Sequence, residues 1–197
     1  QALMSKFKVS SDDCKIEDRL EKSKASNKFD FFVLDNLKDR GDFIKARAES
    51  DSSALKKKFS NENIYKKNLP SNSSCRSLYS IAERIRCESL GGQMLKGIQK
   101  NFTENYNQII NVKKKDQLKT KEDVQVTEAF ELYMLNKFHN IKLNSIATEI
   151  LNYWKNDFDR SIEKHIKFLK DNLENQDNFS SKFSDILQEM DIFQNED

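Results

Sequence analysis

Proline is nearly missing from this chain. Pro70 is the only one in 197 residues, and three of the four glycines crowd between residues 91 and 97. Between Gly41 and Pro70 neither residue interrupts, and good helix formers dominate there, so helix is expected from about residue 42 to 65. Cysteine is scarce too. Cys14, Cys75 and Cys87 are odd in number and show no CxxC spacing, which excludes a disulfide framework and a cysteine zinc site. With no signal-peptide pattern at the start, the chain reads as cytoplasmic. No apolar run approaches the ~18 residues that a bilayer span needs, so no membrane segment is expected. An excess of charge is also lacking: 34 basic against 32 acidic side chains leave +2, too little to draw the chain to nucleic acid. The lysine clusters at 56–58, 66–67 and 113–115 are matched by acids, and no aromatics interleave the charged run at 111–123.

Catalytic motifs are missing as well. There is no GxxxxGK[ST], GxGxxG, HExxH or GxSxG. His139 and His165 stand 26 apart and read as surface or helix-end histidines rather than metal ligands. Asp51-Ser52-Ser53 invites comparison with the DxSxS metal motif of von Willebrand factor A domains, but its spacing is wrong.

Charged residues make up 34% of the chain and hydrophobic ones 37%, a balance near that of disordered chains; fourteen Phe, five Tyr and one Trp nevertheless supply a core. Residues 1–28 are polar without a sustained period and read as a disordered arm, with Gln1-Ala2-Leu3 ahead of Met4 as a remnant preceding a start methionine. Residues 29–197 read as a single helical domain. Its first stretch, FDFFVLDNL at 29–37, is apolar and suits a strand or a helix start equally. Pro70 and the SNSS run at 71–74 break the chain, with Ser74 or Ser77 as candidate cap of the next helix. Residues 111–123 read as a solvated loop. Four amphipathic helices follow, carrying Ala129 to Phe138, Ile146 to Trp154 behind an Asn144 or Ser145 cap, Ile162 to Leu173, and Phe179 to Met190. The fold class is therefore all-α, an irregular multi-helix bundle around one long central helix at about 76–102.

That central stretch, SLYSIAERIRCESLGGQMLKGIQKN from 77 to 101, carries the informative residues. At 100° per residue, Glu83, Arg86, Leu90, Met94, Gly97 and Asn101 fall within about 80° of one another. Ile81, Ile85, Glu88, Gly92 and Leu95 occupy the roughly opposite face. Apolar residues on both sides imply a helix sandwiched between others, and its charges must then be paired. Glu83 and Arg86, three apart, suit a local ion pair. Glu88 has no partner on its own side of the helix, so a long-range contact is implied. An acid or base poised by burial is one reading of these three, and a structural ion-pair network is the favoured one. Glycine inside a helix costs up to about 1 kcal/mol. Gly91, Gly92 and Gly97 therefore suggest a close approach by another backbone or a kink.

Three stretches together resemble the N-terminal region of CobT, the cobaltochelatase subunit of aerobic cobalamin synthesis. They are RAESDSSALKKKFSNENIYKKNLP at 47–70, IAERIRCESLGGQMLKGIQKN at 81–101, and the helices from Val126 to Ile192 with Trp154 and the FSDILQEMDI ending. In the second, Glu83, Arg86, Glu88, Leu90, Gly91, Gly97 and Asn101 fall on the family's ExxRxExLGxxxxxGxxxN pattern. Ala48 stands where the family's glycine is expected, and Ser60 and Tyr65 where histidines often sit. The family continues through an acidic linker into a von Willebrand factor A domain, whereas this chain ends as it turns acidic. It therefore reads as an N-terminal fragment or a natural short form.

The resemblance implies a part in ATP-dependent insertion of cobalt into hydrogenobyrinic acid a,c-diamide. A CobS-like AAA+ ring and a CobN-like large subunit would be its partners. It implies no cofactor in this chain; the ATP, magnesium and cobalt of the family complex sit on other domains or subunits. No catalytic or metal-binding residue is expected here, and the chain alone is expected to be inactive. A free-standing helical adaptor domain is the alternative from a different class.

Overall fold

A computed structural model describes residues 39–112 and 120–190. The arm at 1–28, the apolar run at 29–37, the middle of the charged connector and the acidic end lie outside these. The described residues form helices joined by short connections, without a strand among them: α1 (Arg40–Phe59), α2 (Glu62–Lys67), α3 (Ser73–Met94), α4 (Lys96–Val112), α5 (Val126–His139), α6 (Ser145–Asn152), α7 (Lys155–Ile162), α8 (Ile166–Asp171) and α9 (Gln176–Gln188). Short 3-10 turns occupy Lys121–Asp123 and Glu163–His165. The all-α bundle expected from the sequence is what forms.

Asparagine and aspartate set most of the helix starts, because a short side-chain oxygen satisfies amides that the first turn leaves unbonded. Asp39 accepts from the Asp42 amide at 2.9 Å, and Asn61 from that of Asn63 at 2.9 Å. Asn144 accepts from Ala147 at 2.8 Å, and Asn175 from Asn178 at 3.1 Å. For α3 the cap is Asn72, which accepts from Ser74 at 2.8 Å and Cys75 at 3.2 Å. Ser74 and Ser77, the expected caps, lie inside the helix. The end of α5 is set by Asn140 in the left-handed region (φ 54°), a conformation that asparagine tolerates better than most residues.

Helix α3 sits at the centre and packs on α1, α4, α5 and α9. Leu78, Ala82 and Ile85 are fully buried in a core that continues through Phe130, Phe158, Phe179 and Phe183. Phe179 and Phe183 stack with ring centroids 5.8 Å apart.

Three expected boundaries need correction. The long central helix is two helices parted at Leu95, whose backbone is extended (φ −140°, ψ 111°). The Leu95 amide still bonds the Gly91 carbonyl at 3.0 Å, while its own carbonyl takes the Ile98 amide at 3.0 Å and so starts α4. The chain folds back there, so that α4 packs against both α3 and α1. A straight helix could not bury Ile98, Phe102, Tyr106 and Ile110, the four-residue stripe of α4, against its own preceding half. The helix expected at 42–65 likewise stops at Phe59 and restarts behind the Asn61 cap. The one expected over Ile162 to Leu173 divides into α7, a 3-10 turn and α8.

Candidate functional site

The seven residues of the family pattern divide into three places. Glu83 and Arg86 form one buried cluster on α3, with 2% and 1% of their surface exposed. Arg86 donates to both Glu83 carboxylate oxygens at 2.8 Å, through Nε and Nη2. Its remaining donors leave the helix: Nη1 reaches the Leu173 carbonyl and Nη2 the Phe59 carbonyl, both at 2.7 Å. Phe59 ends α1 and Leu173 lies just past α8, so one guanidinium satisfies carbonyls at two helix ends. Gln176, the first residue of α9, completes the cluster. Its Nε2 donates to Glu83 Oε1 at 3.0 Å, and its Oε1 accepts from the Asn61 amide at 2.6 Å. Burial opposes the Arg86 charge, yet the bonds and charge of Glu83 hold its pKa above the ordinary arginine range.

Glu88 belongs to a second cluster on the opposite side of α3, and it is 2% exposed. It accepts from Ser52 of α1 at 2.7 Å and from Tyr106 of α4 at 2.6 Å. The long-range contact expected from the sequence is thus made twice. Arg84 Nε and His139 Nε2 each stand 3.9 Å from a different Glu88 oxygen, and Arg84 also bonds Glu131 of α5 at 2.5 Å. Burial raises the Glu88 pKa against the opposing pull of Arg84, Tyr106 and Ser52. Burial first, and the Glu88 charge second, push the Tyr106 hydroxyl upward. His139 does end a helix, but its side chain is only 7% exposed. Burial, aided by Arg84 and opposed by a bond to the Ile85 carbonyl, lowers its pKa to about 4.

The remaining motif residues meet α1 or open space. Leu90 is in the core. Gly91 lies under Leu55 of α1: a β-carbon placed there would come 2.4 Å from a Leu55 methyl. The close approach expected of this glycine is therefore real, although a side chain makes it rather than a backbone. At Gly97 a β-carbon would meet nothing within 4 Å, so no close approach explains it. Asn101 Nδ2 donates to Asp51 at 2.6 Å and lines a groove between α1 and α4.

Sequence reasoning missed Gln176, Tyr106 and Arg84 as partners, and it read His139 too blandly. Gln176 lies 93 residues from Glu83, and no local pattern marks so distant a pairing. Asp51 and Ser52 did stand out, for a metal motif they do not complete; their oxygens serve Asn101 and Glu88 instead.

Chemically, these clusters join helices. Arg86 ties α3 to the ends of α1 and α8, and Glu88 ties α3 to α1 and α4. The Cys87 thiol between them is pushed up to about 12 by burial and by Glu83, so it stays protonated at neutral pH. Among the described residues, no three His, Cys, Asp or Glu side chains are grouped to hold a metal ion.

A family model described as "Cobalamin biosynthesis protein CobT" matches residues 23–197. No curated protein and no solved structure matches the chain.

Proposed function

The chain belongs to the CobT family, which places it in cobalamin biosynthesis, and from that premise we propose that it is a non-catalytic coupling part of a cobaltochelatase. The complex in question would use ATP to insert cobalt into hydrogenobyrinic acid a,c-diamide. In this reading the helical bundle is a rigid adaptor between a CobS-like AAA+ ring, which hydrolyses ATP, and a CobN-like subunit, which holds the macrocycle. One observation carries it. The family-pattern charges Glu83, Arg86 and Glu88 are buried and bonded to other helices, so they suit assembly rather than turnover. Nucleotide, magnesium and cobalt would then be handled by other domains or subunits.

The experiment is a reconstitution with purified partners. The chain should co-purify with a CobS-like ring loaded with ATP, and cobalt insertion should depend on that association. A chain that binds neither the ring nor the large subunit would contradict the proposal.

A second reading, a free-standing helical adaptor outside chelation, draws on Phe43, Ile109 and Phe168, each more than 40% exposed. It predicts a partner other than the ring and the large subunit.

A further inference from the structure

Helices α1 and α4 enclose a groove with a cavity of about 210 Å³, whose walls include Arg40, Phe43, Ile44 and Arg47 from α1 and Lys100 and Glu104 from α4. Phe43 is 49% exposed on this wall, and Arg40 and Arg47 stand one turn before it and one after. Among the described residues neither arginine has an ion-pair partner. Glu104, the carboxylate of the wall, already faces Lys100 at 3.7 Å. The groove is thus a half-exposed apolar floor under excess positive charge, and it suits a segment that offers large apolar side chains and carboxylates together.

The chain carries such a segment next to it. Residues 29–37 hold Phe29, Phe31, Phe32, Val33, Leu34 and Leu37 with Asp30 and Asp35, and no base. Only Lys38 separates them from Asp39, the N-cap of α1. They also fall inside the stretch matched by the family model. Arg40 to Arg47 spans about 10 Å of helix, and nine residues cover ~13 Å even as a helix, so length is sufficient. Tethering at the end of the groove raises the effective concentration of the segment there to roughly the millimolar range. We propose that residues 29–37 lie back along the α1–α4 groove, with an aromatic side chain in the cavity beside Phe43 and with Asp30 and Asp35 facing Arg40, Arg47 and Lys100.

Hydrogen exchange followed by mass spectrometry on the full chain tests this. Amides of 29–37 should exchange about tenfold or more slower than an unstructured peptide does. Arg40→Glu with Arg47→Glu should bring them to the unstructured rate while amides at 75–90 keep their protection. Phe43→Ser should do the same without altering charge. Adding Asp30→Lys and Asp35→Lys to the arginine variant should restore slow exchange. Fast exchange at 29–37 in the parent chain overturns the proposal, as does slow exchange that the groove variants leave untouched. Slowing that grows with protein concentration overturns it as well, because the occupant is then a second copy.

Discussion

Arg86 shows how much one side chain can organise here. Its fork meets Glu83 and two helix-end carbonyls, and its exposed fraction is 1%. Removing it leaves the Glu83 carboxylate buried with the neutral Gln176 amide and a weak Cys87 thiol contact but no cation, a far costlier situation than never having buried the pair. Arg86→Met should therefore cost about 3–5 kcal/mol in urea unfolding. Arg86→Lys should lose much of the same, since one ammonium cannot serve three directions as a planar fork does. His139 supplies a pH signature. Its folded pKa of about 4 lies below the ordinary 6.5, so between those values the unfolded chain binds a proton that the folded chain refuses. Its contribution is whole above pH 6.5 and declines as pH falls towards 4, by up to ~3 kcal/mol. Glu88, with a raised pKa, works in the opposite sense: its share is present at acid pH and lost as pH rises through the folded value. Comparing urea melts at pH 4.5 and 7 for the parent and His139→Gln separates the two, because only the histidine contribution differs. The variant should lose less stability on acidification.

At the scale of elements, the sequence was legible where periodicity is local. The apolar stripes of α6 and α9 follow from spacing alone, and so does the Glu83–Arg86 pair, three residues apart on one helix; α5, expected to be amphipathic, instead buries residues on every side, from Ala129 to Leu135. The breaks were not legible. Leu95 is a good helix former, and what ends α3 there is the burial that α4 gains by turning back onto α1 and α3, a tertiary gain that overrides propensity. The partners of Glu88 come from three other helices, and no local spacing around it announces Ser52 or His139. The glycines separate by the same logic. Gly91→Ala should destabilise by about 1–3 kcal/mol, because its methyl meets Leu55, and Leu55→Ala in the same chain should recover part of the added strain. Gly97→Ala meets open space without positive φ, so it should be neutral or stabilise by roughly 0.5 kcal/mol. Thermal or urea unfolding of the two variants checks the contrast.

For the whole molecule, the two clusters sit on opposite sides of one central helix and bond it to its neighbours. Four packed partners and two buried polar networks make α3 a spine around which the bundle has little freedom to rearrange. Rigidity of that kind suits a part that transmits force or position between moving subunits. No helix among the described residues is long and apolar enough to cross a membrane. If the family-pattern charges serve this architecture, damage to them should appear first as lost stability and only then as lost activity. The most direct measurement replaces Glu88 by glutamine and follows both the melting temperature of the chain and cobalt insertion by the reconstituted complex, assayed well below the melting point. The account predicts a melting temperature lower by several degrees, about 1–2 kcal/mol for a domain of this size, with turnover per folded molecule unchanged. An unchanged melting temperature with cobalt insertion lost would contradict it.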